Sequence, residues 1–406
     1  MLRRQLPVSS PIHPRALARA SWSALWGRAD EREALAATLA ARYGASRVVL
    51  TDSGTSALVL ALRALVGDGG TVALPGYCCI DLTAAARFAG VRVRLYDVDP
   101  QTLGADLDSL ARALERGADG VVVAHLYGFP VDVPAVTSLA ARYGVPVIED
   151  AAQGAGGTLG GRVLGSFGDV SILSFGRGKG MTAGRGGALL ARTPLGLQRL
   201  EALGRPRDRT PPTGWRDLAA AAAQWALGRP ALYGIPSSIP ALRLGEMVYR
   251  EAHEPAALSV AAATLAQRAV RLARWELLTR RCNADRLWAA MPVGSRGSVV
   301  RPLLSAVPGY LRLPLLDRAG HDAPARHLGI FPGYPRTLFE QEQLRPCLHG
   351  DESEQRGARE LRRSLVTLPT HSQLTDGDFD RLAAWLRADR RAHRAVTPAP
   401  AAEPVV

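Results

Sequence analysis

The sequence predicts an α/β fold in which a mostly parallel sheet lies between layers of helices, followed by a smaller C-terminal α+β domain. Between residues 45 and 190, short β-branched runs alternate with amphipathic helical patterns. The helical patterns are followed by Gly44, Gly90, Gly117 and Gly144, where helix C-caps are expected. Regular strand–helix alternation is typical of a parallel sheet that is covered on both faces.

The predicted elements follow one another in a regular order. The strands are expected at 47–51, 71–74, 92–96, 120–125, 145–149 and 170–175, and the helices between them at 57–66, 82–89, 107–116 and 133–143. Ligands of such sheets bind beyond the carboxyl ends of the strands. The residues just after each strand are therefore the candidate site.

The rest of the chain departs from this pattern. Residues 205–240 are rich in Pro, Arg and Ala, and a long helix is expected at 255–290, strand-like runs at 310–314 and 364–368, and a last helix at 376–390. We predict four regions. They are an N-terminal segment packed on the domains (1–44), a large α/β domain (45–260), a connecting helix with a small C-terminal domain (261–392) and a disordered tail (393–406).

Composition excludes several protein classes. Of the 406 residues, 47% are hydrophobic and 21% are charged, which excludes a disordered chain, a collagen and a disulfide scaffold. The net charge of +13 suggests a nucleic-acid partner. However, the arginines are interleaved with acids and no nucleic-acid-binding motif accompanies them, so we expect none. A phosphorylated small substrate fits the charge equally well.

Nothing in the sequence predicts a secreted or membrane-spanning protein. No apolar run follows the basic residues at the start, and residues 218–227 are too few to span a bilayer. With Trp215, Trp225 and Tyr233, that stretch fits a membrane surface, a partner or, in the interpretation that we favour, a buried or interface helix. The four cysteines lack zinc-site spacing, so we expect no metal and reduced thiols in the cytoplasm.

Lysine occurs only once among the 50 basic residues, at Lys179. Arginine stays protonated, whereas lysine can lose its proton and condense with a carbonyl group. A chance surface lysine is the alternative. The position just after a strand, in the glycine-flanked turn from Gly176 to Gly180, favours a catalytic residue. A Walker A loop is excluded because Gly180, not Ser or Thr, follows the lysine.

Three further features accompany the lysine. The run from Ser53 to Ser56 opens a helix after a strand, which suits either a phosphate site or a plain helix N-cap. Asp150 ends a strand and would pair with a cation such as a protonated ring nitrogen, or cap a loop. Ser174 could offer a hydroxyl to phosphate. In this order, these are the components of a pyridoxal 5′-phosphate (PLP) site.

The motifs resemble those of the DegT/DnrJ/EryC1/StrS family of fold-type-I PLP-dependent aminotransferases. The matching stretches are 53–58, 124–128, 149–153, 165–179, 184–187 and 368–371. The resemblance implies a seven-stranded, mostly parallel sheet and a homodimer with active sites at the subunit interface. It also implies an amino group moving from glutamate or glutamine to a keto or aldehyde acceptor, a nucleotide-linked sugar of polysaccharide or natural-product biosynthesis.

The same resemblance implies individual roles. Lys179 would form the Schiff base with PLP and later transfer the proton. Asp150 would pair with the pyridine nitrogen, and Gln153 would lie near the phenolic oxygen. The remaining cofactor-binding residues would be Gly54, Thr55, Ser56 and Ser174 at the phosphate and Cys79 over the ring.

The sequence departs from the family pattern at three places. Cys79 stands where the family often has an aromatic residue, with Tyr77 as a substitute. Arg185 replaces a family glutamate, and residues 245–250 occupy the place of an Asn-Tyr-Arg segment. We therefore expect an intact cofactor site and an unusual substrate side.

Two alternatives and several weaker candidates remain open. A PLP-dependent lyase or dehydratase of the same fold is one alternative, although the family's dehydratases carry His in place of the lysine. A non-enzymatic PLP-fold regulator or basic nucleic-acid binder is the other. The weaker candidates for substrate contact are His125, His371, Tyr334 and Arg336, each with an ordinary structural role as the alternative.

Overall fold

A seven-stranded sheet forms the centre of the molecule. The computed structural model describes residues 3–26, 30–204, 213–244, 247–292, 299–317, 325–350 and 355–394. The strands of the central sheet are β1 (Arg47–Thr51), β2 (Thr71–Pro75), β3 (Arg92–Tyr96), β4 (Gly120–Ala124), β5 (Val147–Asp150), β8 (Val170–Ser174) and β9 (Gly187–Ala191). The short strands β6 (Thr158–Leu159) and β7 (Arg162–Val163) form a hairpin between β5 and β8.

The sheet order is β1-β9-β8-β5-β4-β2-β3. Strand β9 runs antiparallel to both of its neighbours, and all other pairs are parallel. The predicted α/β fold with a mostly parallel sheet is therefore confirmed. Because β5 and β8 are parallel neighbours, the residues that follow them emerge at one edge of the sheet.

Helices cover both faces of the sheet. The α-helices of the described residues are α1 (Pro14–Trp26), α2 (Asp30–Tyr43), α3 (Gly54–Leu65), α4 (Asp81–Ala89), α5 (Leu107–Glu115), α6 (Val133–Ala141), α7 (Pro194–Ala202), α8 (Trp215–Leu227), α9 (Pro230–Ser237), α10 (Val260–Ala290), α11 (Arg356–Ser364) and α12 (Asp376–Arg394). All four predicted capping glycines have positive φ angles, so the left-handed caps that end these helices are confirmed.

Alternate residues of the central strands belong to different apolar clusters. In β4, Val122 packs with α3 and α4, whereas Val121 and Val123 pack with α5 and α6. The side chains of a strand point alternately to its two faces. The sheet is therefore apolar and covered on both faces, as the alternation of strands and helices predicted.

The C-terminal part has its own sheet and core. Strands β11 (Leu313–Leu316), β12 (Phe331–Pro332) and β13 (Leu365–Leu368) pair antiparallel, and β10 (Ala306–Val307) pairs with β6 instead. The strand predicted at 310–314 begins later because Tyr310 has a φ of 43°, which no strand residue adopts. The division into four regions stays a prediction, and the tail from residue 395 lies outside the described residues.

The N-terminal helices pack on the long helix of the C-terminal part. Both α1 and α2 contact α10, and α1 also contacts α8. In the part of the chain that the structure describes, no helix has both the length and the apolar character needed to cross a membrane.

Candidate functional site

A cavity of about 300 Å³ brings the predicted site residues together. It is lined by the loops that follow β1, β4, β5 and β8 and by the loop between β2 and α4. Seven of the eight predicted residues line it: Gly54, Thr55, Cys79, Asp150, Gln153, Ser174 and Lys179. The eighth, Ser56, is buried beside it.

The start of α3 forms one wall. Ser53 is the N-cap, and its Oγ accepts the backbone N–H of Ser56 at 3.0 Å. Gly54 and Thr55 line the cavity with the first backbone groups of the helix, which have no acceptor within it. A Cβ on Gly54 would lie 2.8 Å from Cβ of Ser174, so glycine permits this close approach of α3 to the end of β8.

The Ser56 hydroxyl is engaged within the protein. It donates to Asp52 Oδ1 at 2.7 Å and lies 2.8 Å from Ser53 Oγ. Asp52 also accepts from His253 Nε2 at 2.6 Å. The hydroxyl predicted to contact phosphate thus orients Asp52 and the N-cap, and the groups at the cavity wall are Ser53, Gly54, Thr55 and Ser174.

Lys179 lies among acidic groups. Burial opposes a charge on its amine, but nearby Cys79, Asp81 and Asp150 outweigh this effect and raise the pKa of Lys179. Burial and Asp81 also raise the pKa of the Cys79 thiol far above the neutral range, so this thiol is uncharged at pH 7. The two carboxylates are therefore the anions that hold the ammonium form.

The loop of Lys179 is fixed from two sides. A Cβ on Gly180 would lie 2.5 Å from Cα of Ala155, so the loop packs closely on the one after β5. Ser10 of the N-terminal segment donates to the Lys179 carbonyl. The buried Arg280 of α10 donates to Ser10 Oγ at 3.0 Å. The lysine thus extends from a rigid support into the cavity.

Asp150 is 9% exposed at the end of β5. One carboxylate oxygen accepts the backbone N–H of Ala152 at 2.9 Å. Burial raises the pKa of Asp150, while that hydrogen bond, Lys179 and His125 act in the opposite direction. A cation placed next to this carboxyl group in the cavity would favour its ionised form.

Gln153 is held in one orientation. Its Oε1 accepts the backbone N–H of Tyr127 at 3.1 Å, and its Nε2 donates to the Tyr334 hydroxyl at 2.7 Å. Tyr77 is fully buried, and its hydroxyl accepts the backbone N–H of Tyr334 at 2.6 Å. Because its ring packs on that of Tyr334, Tyr77 supports Gln153 rather than lining the cavity.

His125 lines the cavity, and both nitrogens of its ring are engaged in buried hydrogen bonds. Its Nε2 lies 2.9 Å from Glu149 Oε1, and its Nδ1 accepts the backbone N–H of Val131. Of the weaker candidates, only this histidine lines the cavity. His371 is fully buried and donates to the Leu6 carbonyl at 2.9 Å, and Arg336 is exposed outside the cavity.

Several lining residues were not among the predicted site residues, although Arg185 and Arg250 belong to the departures from the family pattern noted in the sequence. Asp81, at the first position of α4, accepts from Cys79 Sγ at 3.3 Å. Arg177, Arg185 and Arg250 line the same cavity. Arg177 and Arg185 lie close to Lys179 in the sequence, which was a signal that they could belong to the same site. Arg250 reaches the cavity from the region before α10, far from Lys179 in the sequence. Among the described residues, no cluster of three His, Cys, Asp or Glu side chains could hold a metal ion.

Sequence comparison identifies the family that this region matches. Residues 14–206, just under half of the chain, match the model of the DegT/DnrJ/EryC1/StrS aminotransferase family. The predicted resemblance is confirmed in that region. The match includes every predicted site residue, from Gly54 to Lys179.

Curated relatives match over similar stretches. UDP-N-acetyl-3-dehydro-α-D-glucosamine 3-aminotransferase of Acidithiobacillus ferrooxidans is 34% identical over 171 residues, which cover 42% of this chain and 46% of the relative. L-glutamine:2-deoxy-scyllo-inosose aminotransferase of Streptomyces kanamyceticus is 38% identical over 177 residues, which cover 42% and 41%. The chain thus spans less than half the length of these relatives.

Solved structures share the fold over nearly the whole chain. The aminotransferase TlmJ from Streptoalloteichus hindustanus has a TM-score of 0.72 and 24% identity, covering 95% of this chain and 99% of its own. A DegT DnrJ EryC1 StrS aminotransferase from Brucella abortus has a TM-score of 0.72 and 19% identity, covering 92% and 95%. These similarities extend the fold to the C-terminal part.

Proposed function

We propose that this chain, with its match to the DegT/DnrJ/EryC1/StrS aminotransferase family in residues 14–206, is a PLP-dependent aminotransferase. The observation that carries the proposal is the meeting of Lys179, Asp150 and the start of α3 in one cavity. The chain's only lysine thus faces a buried carboxylate and a helix N-terminus suited to phosphate.

The residues present fit this cofactor. Gly54, Thr55 and Ser174 line the cavity and offer N–H and hydroxyl groups to a phosphate. Asp150 offers a carboxylate to a protonated ring nitrogen, and Lys179 offers an amine to an aldehyde. When bound, PLP supplies that aldehyde and an electron-poor ring that stabilises negative charge on the donor's α-carbon.

The residues of the cavity would have separate roles in holding the cofactor, moving the proton and attracting the substrates. Lys179 would hold the cofactor through its amine and, with that amine free, would move a proton at the donor's α-carbon. Asp150 would keep the ring nitrogen charged, which the cofactor's electron-withdrawing role requires. Gln153 is fixed by Tyr127 and Tyr334 and would lie beside the ring. Arg177, Arg185 and Arg250 attract anionic substrates, including the donor's carboxylate.

The substrate classes follow from the relatives. Their names describe amino transfer to a UDP-linked dehydro sugar and from L-glutamine to an inosose. We propose glutamine or glutamate as donor and a keto sugar or related cyclic ketone as acceptor. The four free thiols fit a cytoplasmic enzyme, and a homodimer is the assembly that the family resemblance implies.

The first test uses absorbance and a half-reaction. The wild type with PLP should absorb as a lysine-bound cofactor, and glutamine or glutamate should convert it to pyridoxamine phosphate with release of the keto acid. Lys179→Arg should abolish both signals. A colourless wild type with excess PLP, or a fully active Lys179→Arg variant, would overturn the proposal. Conversion to products other than pyridoxamine phosphate would favour the lyase alternative.

A further inference from the structure

Residues 3–10, which we call the N-terminal strap, run between the C-terminal part and the loop of Lys179 before helix α1 begins. They belong to no helix or strand. Gln5, Leu6, Ser9 and Ser10 are nevertheless buried. A segment without regular structure is buried only where its polar groups find partners elsewhere in the protein.

The strap is bound to the C-terminal part at two of these residues. Gln5 Nε2 donates to the buried Asp378 of α12 at 2.6 Å. Ser9 Oγ accepts from Gln373 Nε2, also at 2.6 Å. These contacts fix the path of the strap, and none of the four residues lines the cavity.

The end of the strap reaches the loop of Lys179. Ser10 Oγ donates to the backbone carbonyl of Lys179. Arg280 of α10 is 1% exposed, and its Nη2 donates to Ser10 Oγ at 3.0 Å and to the Gly180 carbonyl at 3.4 Å. The carbonyl groups of two consecutive residues are thus held by donors that come from outside the loop.

Burying Arg280 costs free energy that its contacts must offset. The carboxylate of Glu276 lies 3.8 Å away, and among the described residues Nε of Arg280 has no hydrogen-bond partner. A buried ion pair of this kind adds little net stability compared with apolar residues of the same size. Stability alone therefore does not explain the arginine, whereas a need to hold the lysine loop does.

The loop does not fix the lysine by itself. Lys179 lies between Gly178 and Gly180, and glycine has the most conformational freedom of all residues. A Cβ on Gly178 would meet no atom within 4 Å, so no packing holds the loop on that side. Apart from the packing of Gly180 on Ala155, the position of Lys179 depends on the strap and α10.

We propose that Ser10 and Arg280 are positioning residues, which hold the backbone at Lys179 so that its amine stays beside Asp81 and Asp150 in the cavity. Neither residue lines the cavity, so neither would touch the cofactor or a substrate. Small displacements of a reacting group slow a reaction strongly. The effect on the reaction rests on the proposed function, but the placement of the amine can be measured without it.

The first test measures the reactivity of this amine in the full chain before PLP is added. Because Lys179 is the only lysine, brief acetylation with acetic anhydride and peptide mass spectrometry report on it alone, and the pH dependence of the rate gives its pKa. In the wild type, the nearby carboxylates keep the pKa of Lys179 raised. Ser10→Ala should lower it and speed acetylation at pH 9 about two- to tenfold, the effect of one lost hydrogen bond.

Ser9→Ala is the matched control. It removes a hydroxyl from the neighbouring residue of the strap, whose partner is Gln373 and not the lysine loop, so the acetylation profile should stay that of the wild type. An unchanged profile in Ser10→Ala would overturn the proposal. An equal change in Ser9→Ala would also overturn it, since general loosening of the strap would explain both. Circular dichroism checks that each variant is folded.

Arg280→Met is the second variant, because methionine fills part of the space without any donor. It should change the acetylation of Lys179 in the same direction as Ser10→Ala. The double variant should change it by less than the sum of the two, since Arg280 acts partly through Ser10. A wild-type profile in Arg280→Met, or fully additive effects, would contradict the proposal.

The second test adds PLP and follows conversion to pyridoxamine phosphate. At saturating glutamine, Ser10→Ala should convert about two- to tenfold more slowly than the wild type, with an unchanged half-saturating concentration of the donor. A wild-type rate in Ser10→Ala would overturn the positioning role. If the wild type converts neither glutamine nor glutamate while the acetylation results hold, the proposed function fails and the placement of the lysine stands.

Discussion

His125 Nε2 and Glu149 Oε1 lie 2.9 Å apart, and both side chains are fully buried. The two oxygens of Glu149 also accept the backbone N–H groups of Gly165 and Phe167, each at 2.6 Å. Because His125 Nδ1 accepts a backbone N–H, its proton lies on Nε2 and points to the carboxylate. One carboxylate therefore joins the ends of β4 and β5 to the loop before β8.

We expect Glu149→Gln to destabilise the fold strongly. The amide keeps the shape but places an NH2 group against groups that donate, so buried N–H groups lose their acceptor. The free energy of unfolding should fall by about 2–4 kcal/mol. Urea unfolding measures it, with Glu33→Gln on the exposed face of α2 as the control. An unchanged midpoint in Glu149→Gln would contradict this account.

Asp150→Asn should separate cofactor binding from turnover. If the carboxylate keeps the ring nitrogen charged, the asparagine variant still binds PLP through Lys179 but transfers amino groups about a hundredfold more slowly or worse. Absorbance measures the first property and single-turnover conversion with glutamine the second. Asp106→Asn is a matched control, since Asp106 caps α5 away from the cavity and asparagine caps equally well. Wild-type rates in Asp150→Asn would remove the assigned role.

Gly54→Ala should destabilise the protein even without a cofactor. Its Cβ would lie 2.8 Å from Cβ of Ser174, closer than packed carbons approach. Overpacking of this kind costs about 1–3 kcal/mol of stability. Ser174→Gly removes the opposing atoms, so the double variant should recover most of the loss in thermal unfolding. At Gly176 the nearest atom to an added Cβ is 3.4 Å away, so Gly176→Ala should be much milder.

Residues that follow strands could be predicted because local signals fix them. The unique lysine, the helix start at Ser53 and the strand end at Asp150 are each marked by neighbouring residues, and parallel strands bring such ends together. The hydrogen bond between Gln153 and Tyr334 joins positions 181 residues apart, and no local pattern reports such a contact.

Other parts of the site depend on tertiary packing. Asp81 reaches the cavity from the first turn of a helix rather than from a strand end. Arg250 reaches it from the region before α10, where the expected family segment was missing. The sequence does not distinguish the buried Arg280 from the other arginines of the chain. Its contacts with Ser10 and Gly180 depend on how α10 packs.

Because His371 is buried, we expect the free energy of unfolding to fall as the pH is lowered. Burial lowers the pKa of His371 from 6.5 to about 4, so the folded state keeps the ring neutral. The unfolded chain binds this proton near pH 6.5. Below that value the unfolded state therefore binds more protons, and the stability contribution, complete above pH 6.5, is lost as the pH falls to about 4.

The matched variant is His371→Gln, which lacks the titration. Between pH 7.5 and 4, the wild type should lose up to about 3 kcal/mol more unfolding free energy than the variant. Urea unfolding at a series of pH values measures the difference. Parallel stability profiles for the two proteins would show that His371 is not the responsive group.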